Sequence, residues 1–304
     1  MGEGERQPYL FIIGAPRSGT TWLQTMLAAH PEVATCQETH LFNAYLSLLH
    51  RSWEEHKASK RGIGLQAAIS YQQFLELQRL YAERVLQSVR GERSLVVEKT
   101  PAHARVVNDI KSVLPEARFL HIVRDPRAVT SSLLAASKGW GARWAAASVY
   151  QNAHRWVREV EASRRGAAYG SGDYHELRYE DLHKDPASHL ERIAQWAGLD
   201  ASRTWCAETA QAHSIEKLRE GKSDPPWGAR TEPEGFYRKG ATDSWKGDLS
   251  RSDIALVEDV AAPLMDSLGY QRISRGLPAL RKVQIKLRRG LAWRLSKWSR
   301  LVEV

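Results

Sequence analysis

Two rhythms of apolar and polar positions run along this chain of 304 residues. Short apolar runs at 10–13, 94–97, 117–123 and 174–179 are dense in β-branched and aromatic side chains, and read as strands. Between them, apolar residues recur every three or four positions. That spacing predicts helices over 18–30 (stopped by Pro31), 41–53, 64–89, 104–114 (ending before Pro115), 126–137, 141–165, 186–197 and 251–268. Pro126 suits a first helical turn, where its missing N–H costs nothing. A basic, glycine-containing stretch at 57–64 separates two of the helices. Residues 224–244 are crowded with Pro, Gly and charge, and read as a functional loop or lid. Strands alternating with helices predict a single α/β domain, a central parallel sheet flanked by helices on both faces. Binding residues would then gather at the carboxyl ends of the strands.

Composition narrows this picture. The chain is long enough for a full core, and most of its eleven Trp residues are expected to fill it. Cys36 and Cys206 lie in no C-x-x-C or Cys/His cluster, so neither a zinc site nor a disulfide framework is expected. The first eight residues are polar and acidic, unlike a leader peptide, and no run approaches the ~18 apolar residues of a membrane span. The expectation is a reduced, cytoplasmic protein. Charge divides the chain at about residue 271. Ten Lys and Arg against one acid, Glu303, fill 272–304, so this tail accounts for the whole net charge of +9, while 1–271 is balanced. Leu280, Val283, Leu287, Leu291, Leu295, Trp298 and Val302 form one apolar stripe there. The pattern is that of a basic amphipathic helix, either making peripheral membrane contact or docking on the body. One basic helix without a recognised fold gives no ground to expect nucleic-acid binding. Nothing in the sequence speaks to oligomeric state.

Chemistry enters at 11–23, F-I-I-G-A-P-R-S-G-T-T-W-L. An apolar strand stops at Gly14, a cationic turn follows, and a helix begins. Gly14 and Gly19 let the backbone close around an anion. The free N–H groups near Ser18, Gly19, Thr20 and Thr21 would point at that anion, with the helix dipole behind them. Arg17 adds a permanent planar charge. The loop departs from the Walker A pattern, which needs Lys directly after its second glycine; here that residue is Thr20.

The spelling G-x-x-[RK]-x-G-T-x-x-L resembles instead the 5′-phosphosulfate loop of sulfotransferases. Three further segments resemble that family in the same order. Arg124-Asp125-Pro126-Arg127, with Ser132 eight residues after Arg124, is similar to its 3′-phosphate motif. Arg178-Tyr179-Glu180-Asp181-Leu182 is similar to a segment whose Tyr contacts adenine; Glu180 and Asp181 would cap the following helix. Arg238-Lys239-Gly240, followed by Trp245-Lys246, looks like the loop that folds over the 3′-phosphate, although Asp243 stands where the family usually has Gly. The resemblance covers roughly 9–246. It implies the donor 3′-phosphoadenosine-5′-phosphosulfate and a hydroxyl or amine acceptor on a small molecule, carbohydrate or lipid. Arg17, Ser18, Gly19, Thr20 and Thr21 would take the 5′-phosphosulfate. Arg124, Ser132, Arg238, Lys239 and Gly240 would take the 3′-phosphate, and Tyr179 the adenine.

Sulfuryl transfer requires in-line positioning, stabilisation of charge on the leaving oxygen and removal of a proton. Sulfuryl carries less charge than phosphoryl, so no metal is expected. Arg17 and Lys99 are the candidates for charge stabilisation, Lys99 by its likeness to a family lysine near the leaving oxygen. Cytosolic members take the proton with a His two residues beyond that lysine, but Pro101 occupies the position here. Tyrosylprotein sulfotransferases use a Glu after the first helix, and Glu38 in Cys36-Gln37-Glu38-Thr39-His40 stands in similar register. Glu38 is therefore the first candidate base, with His40 and His103 as alternatives; His121, inside a strand, is expected in the core. A kinase using ATP is disfavoured by the missing Walker lysine. A non-catalytic nucleotide- or membrane-binding protein would keep the donor site without transfer.

Overall fold

The computed structural model describes residues 8–59, 63–223 and 232–276. The amphipathic stripe of the tail, and part of the 224–244 segment, lie outside the described residues. Five strands form one parallel sheet in the order β2-β3-β1-β4-β5: β1 (Tyr9–Ile13), β2 (Val33–Thr35), β3 (Leu95–Lys99), β4 (Arg118–Val123) and β5 (Tyr174–Arg178). Strand β1 is central and buried throughout, which is why it reads as a continuous apolar run. Its side chains alternate between two cores. Leu10 and Ile12 face Trp22, Leu23, Met26 and Leu190. Tyr9, Phe11 and Ile13 face Phe42, Leu86, Val107 and Ile110.

Twelve α-helices cover the sheet among the described residues: α1 (Thr20–Ala28), α2 (Ser47–Ser59), α3 (Tyr71–Arg90), α4 (Val107–Val113), α5 (Pro126–Ser137), α6 (Val149–Arg164), α7 (Tyr179–Lys184), α8 (Pro186–Ala197), α9 (Arg203–Ala212), α10 (Ile215–Arg219), α11 (Trp245–Asp248) and α12 (Arg251–Ser267). Helices α5 and α8 occupy the segments expected. In each an Asp side chain accepts a backbone N–H at the N-cap, and Pro opens the helix. Elsewhere the boundaries differ for local reasons. Ser18 and Gly19 belong to the turn, so α1 starts at Thr20. The 41–53 segment opens as a wide π turn, Leu41–Leu46, before α2. The 64–89 segment breaks at Ser70, whose capping box with Gln73 starts α3. Residues 104–114 divide into a 3₁₀ turn, Pro101–Val106, and α4. The helix expected from 141 starts only at Val149, after Ser148 accepts from the Gln151 N–H.

Register sets the site. Ile12 of β1 lies beside Lys99 of β3, Ile13 beside His121 of β4, and Val123 of β4 beside Arg178 of β5. The residues that follow these strands, Gly14, Thr100, Arg124 and Tyr179, thus emerge along one edge, where ligands bind in open α/β sheets.

Candidate active site

A single cavity of about 880 Å³ opens along that edge. It is lined by Arg17, Gly19, Thr20, Thr21, Glu38, Lys99, Arg124, Ser132, Tyr179, Arg238, Lys239 and Gly240. Four segments, the first and last of them more than two hundred residues apart in sequence, therefore meet at one place. Of the donor-loop residues named from sequence, Ser18 alone does not line the cavity. It is buried in the turn, with its Oγ lacking a protein partner.

The first loop is held in a form that few sequences permit. A Cβ at Gly14 (φ 149°) would stand 2.4 Å from the Ile122 carbonyl oxygen. At Gly19 (φ 97°) it would stand 2.6 Å from the Tyr179 ring. Glycine is thus required for the loop to lie against β4 and under Tyr179. Arg17 (φ 74°) and His40 (φ 53°) are the non-glycine residues with positive φ among those described, and both line the cavity. Such strained backbone concentrates at functional sites. Burial of Arg17, reinforced by the nearby Arg124 charge, lowers its pKa to about 10, which leaves it charged at neutral pH.

Arg17 Nε donates to Ser132 Oγ at 3.1 Å, and its Nη2 donates to the Phe236 carbonyl. Ser132, on α5, is thus tied to Arg17 rather than to Arg124. The Arg124 guanidinium lies 4.0 Å from the centre of the Tyr179 ring and donates to the carbonyls of Arg17 (3.3 Å) and Ala241 (3.2 Å). Its Nε is buried without a protein partner. Trp156 Nε1 holds the Arg124 carbonyl at 2.8 Å, and Tyr179 OH donates to the Gly240 carbonyl at 2.6 Å. Gly240 (φ 67°) leaves no room for a Cβ, which would meet Ile215 Cγ2 at 2.3 Å. Arg238 and Lys239 turn to Asp248 on α11, each at 2.8 Å. Burial would raise the Asp248 pKa, but these two cations outweigh it and hold the carboxyl at about 2. Ser131 Oγ also donates to Asp248 and accepts from Arg238.

On the β3 side, Lys99 Nζ lies 2.7 Å from Glu38 Oε1, and His40 Nε2 lies 3.5 Å from Glu38 Oε2. His103 is not available as a base. Its Nε2 accepts from the Phe42 N–H (3.1 Å), which leaves Nδ1 to donate to Glu98 Oε2 (2.8 Å), and the ring is fully buried outside the cavity. His121 is buried in β4, as expected. Asp125 and Arg127 form a buried ion pair, and Glu180 accepts from the Asp125 N–H and from Tyr270 OH. Glu180 therefore joins the start of α5 to the 270 segment; α7 has no side-chain cap at its N-cap, and Asp185 caps α8. Sequence reasoning missed Glu98, Asp248, Arg105 and Arg155. The last two line the cavity.

The lining carries seven Arg and Lys side chains against two carboxylates, Glu38 and Glu232. A cavity of this size and charge suits a polyanionic ligand about as large as a nucleotide. Among the described residues no group of three or more His, Cys, Asp or Glu could hold a metal ion, and no helix is long and apolar enough to cross a membrane.

A profile described as "Sulfotransferase family" matches residues 8–203. The Drosophila melanogaster protein-tyrosine sulfotransferase is 25% identical over 268 residues, covering 86% of this chain and 52% of that protein, so the chain spans about half of its length. Among solved structures, the sulfotransferase domain from the curacin biosynthetic pathway superposes with a TM-score of 0.56 at 19% identity, covering 88% of this chain and 99% of that one. A mouse sulfotransferase complexed with PAP gives 0.54 at 14% identity, covering 86% and 84%. At these identities the likeness of the structures is one of fold.

Proposed function

This chain belongs to the sulfotransferase family, and from that membership we propose that it moves a sulfuryl group from 3′-phosphoadenosine-5′-phosphosulfate to a hydroxyl or amine. One observation carries the reading. The turn after β1 and the Arg124–Tyr179 pair after β4 and β5 open into the same cationic cavity, so one nucleotide can bridge them. The buried, unpartnered Nε of Arg124, a residue that lines the cavity, fits a ligand that supplies acceptor oxygens.

In this reading Arg17, Gly19, Thr20 and Thr21, with Ser18 behind them, hold the 5′-phosphosulfate. Ser132 orients Arg17 through its 3.1 Å contact. Arg124 takes the 3′-phosphate, and Tyr179 presents its ring to the adenine. Arg238, Lys239 and Gly240 close over that end once the phosphate competes with Asp248 for the two cations. The acceptor oxygen or nitrogen forms a bond to sulfur while the bond from sulfur to the bridging phosphate oxygen breaks. Glu38 takes the acceptor proton. Lys99 and Arg17 stabilise the charge that builds on the leaving oxygen. The products are the sulfated acceptor and adenosine 3′,5′-bisphosphate (PAP), and no step calls for a metal.

The test is a PAP titration of Arg124→Ala by calorimetry. Loss of one charge-assisted contact is expected to weaken binding about 10- to 100-fold. Unchanged affinity would remove Arg124 from the donor site and with it the nucleotide-bridging geometry.

A further inference from the structure

Beyond Glu38, the cavity carries charge that the donor has no use for. Arg105 stands on the Pro101–Val106 turn that continues from β3, on the Lys99 side of the central strand. Arg155 comes from α6, which packs against that turn. Both line the cavity. Arg105 Nε lies 3.4 Å from Glu159 Oε1, and the Arg105 side chain is 55% exposed. Arg155 Nη1 donates to the Trp144 carbonyl at 3.1 Å, and its guanidinium lies 5.4 Å from the centre of the Trp144 ring. Glu159 is buried and can balance only one of the two cations.

Aromatic rings link this corner to the reacting end. Trp144 is 41% exposed, although it lines the cavity. Its ring lies 5.5 Å from that of Trp140, and Trp140 lies 5.1 Å from the Arg17 guanidinium. An open indole face beside two planar cations recognises a flat molecule with an anion at one end. A neutral apolar acceptor filling the same space would strip water from both guanidinium groups and return nothing for it.

We infer that the acceptor is a small hydroxyl compound bearing a carboxylate next to a flat face, with Arg105 and Arg155 gripping the carboxylate and Trp144 supporting the face. This rests on the donor reading above. The hydroxyl oxygen bonds to sulfur as the donor's phosphate–sulfur bridge breaks, its proton passes to Glu38, and the carboxylate leaves unchanged.

A matched pair of probes tests it: 4-nitrophenyl β-D-glucuronide and its methyl ester, which carry the same hydroxyls and differ by the carboxylate charge. Transfer of labelled sulfate by the full-length protein is measured for each, and PAP binding is titrated separately. The glucuronide is expected to have a kcat/KM about tenfold or more above that of its methyl ester, expressed mainly in KM. In Arg105→Gln and in Arg155→Gln that ratio should fall about tenfold. A protein that binds PAP but uses both probes equally, or neither, overturns the inference and leaves the donor reading standing. So does a ratio unaltered in both variants. Failure to bind PAP would overturn both together.

Discussion

At the scale of single residues, the buried carboxylate of Glu98 decides how firmly Glu38 is held. Glu98 is 1% exposed and accepts from the Thr39 N–H, Thr39 Oγ1, Thr100 Oγ1 and His103 Nδ1. It thereby ties the segment that carries Glu38 to the end of β3. Burial alone would raise its pKa; the His103 and hydroxyl contacts overrule that and hold it at about 2, below the ordinary 4.5. A carboxyl with a depressed folded pKa stabilises the fold above its unfolded pKa and loses that contribution as pH falls through the folded value. Urea unfolding of the wild type should thus show stability declining between pH 4.5 and 2, and Glu98→Gln should flatten that decline. Equal slopes for the two proteins would remove Glu98 as its source. The neighbouring pair behaves differently. Lys99→Ala and Glu38→Gln should each lower kcat about 100- to 1000-fold while PAP affinity stays within about threefold, because the proposed reaction has both acting on the reacting atoms. A loss confined to PAP affinity would place them in donor binding instead. That Arg17, Lys99 and Arg124 lie at the cavity was legible in the sequence, because Arg17 and Arg124 sit in short motifs that follow a strand and Lys99 ends one. Glu98 and Asp248 were not, because no local spacing records that Glu98 draws in Thr39 from the segment after β2 or that Asp248 reaches Ser131 on α5.

At the scale of elements, legibility follows the strength of the local signal. Asp-Pro before 126–137 and 186–197 writes a helix start into the sequence itself, and α5 and α8 begin there. Strand β2 has three residues and borrows its pairing from β3, so no apolar run marks it. The π turn at Leu41–Leu46 carries the same apolar spacing as a helix, and its different pitch is invisible to periodicity. The loop that carries Arg238 and Lys239 makes its own prediction. Both side chains face Asp248, at the last position of α11, and Arg238 also reaches Ser131 on α5. Partly exposed ion pairs of this kind are worth about 1 kcal/mol or less each. A phosphate must draw both cations away from Asp248 before the loop can close on it. Asp248→Asn is therefore expected to tighten PAP binding about two- to fivefold at low salt. The gain should shrink as salt is raised, since exposed charge pairs are screened. Calorimetric titrations at 50 and 300 mM salt check this; weaker binding in the variant would mean that Asp248 positions the cations for phosphate rather than competing with it.

At the scale of the whole molecule, the site depends on a layer of helices packed behind it, of which α5 and α6 also send Ser132 and Arg155 to the cavity lining. Helices α5, α6 and α12 pack on one another through Val129, Leu133, Trp156, Val160 and Met265. From this layer Trp156 fixes the Arg124 carbonyl and α5 presents Ser132. Arg127 is the polar bolt of the layer. It is 4% exposed and bonds Asp125 at the start of α5 (2.6 Å) and Glu258 on α12 (2.6 Å). It also donates to the Gln271 carbonyl (3.0 Å) and lies 4.1 Å from the Trp245 ring. Glu258 in turn accepts the N–H groups of Ile273 and Ser274, so the same bolt fastens the chain as far as 274. Removing the cation would leave Asp125 and Glu258 buried with no opposite charge, a loss of about 3–5 kcal/mol. Arg127→Ala should show that loss in urea unfolding at pH 7. Glu258→Gln should lose less, because Arg127 keeps Asp125 as a partner. Lowering the pH should narrow the gap between Arg127→Ala and the wild type. Contacts with Ile273, Ser274 and Arg127 outweigh burial and hold the Glu258 pKa below its ordinary value; the variant keeps the Ile273 and Ser274 contacts and lacks only the Arg127 part, so acidification removes that part from the wild type alone. If the gap stays constant from pH 7 to pH 3, packing over Trp245 rather than charge holds this layer together.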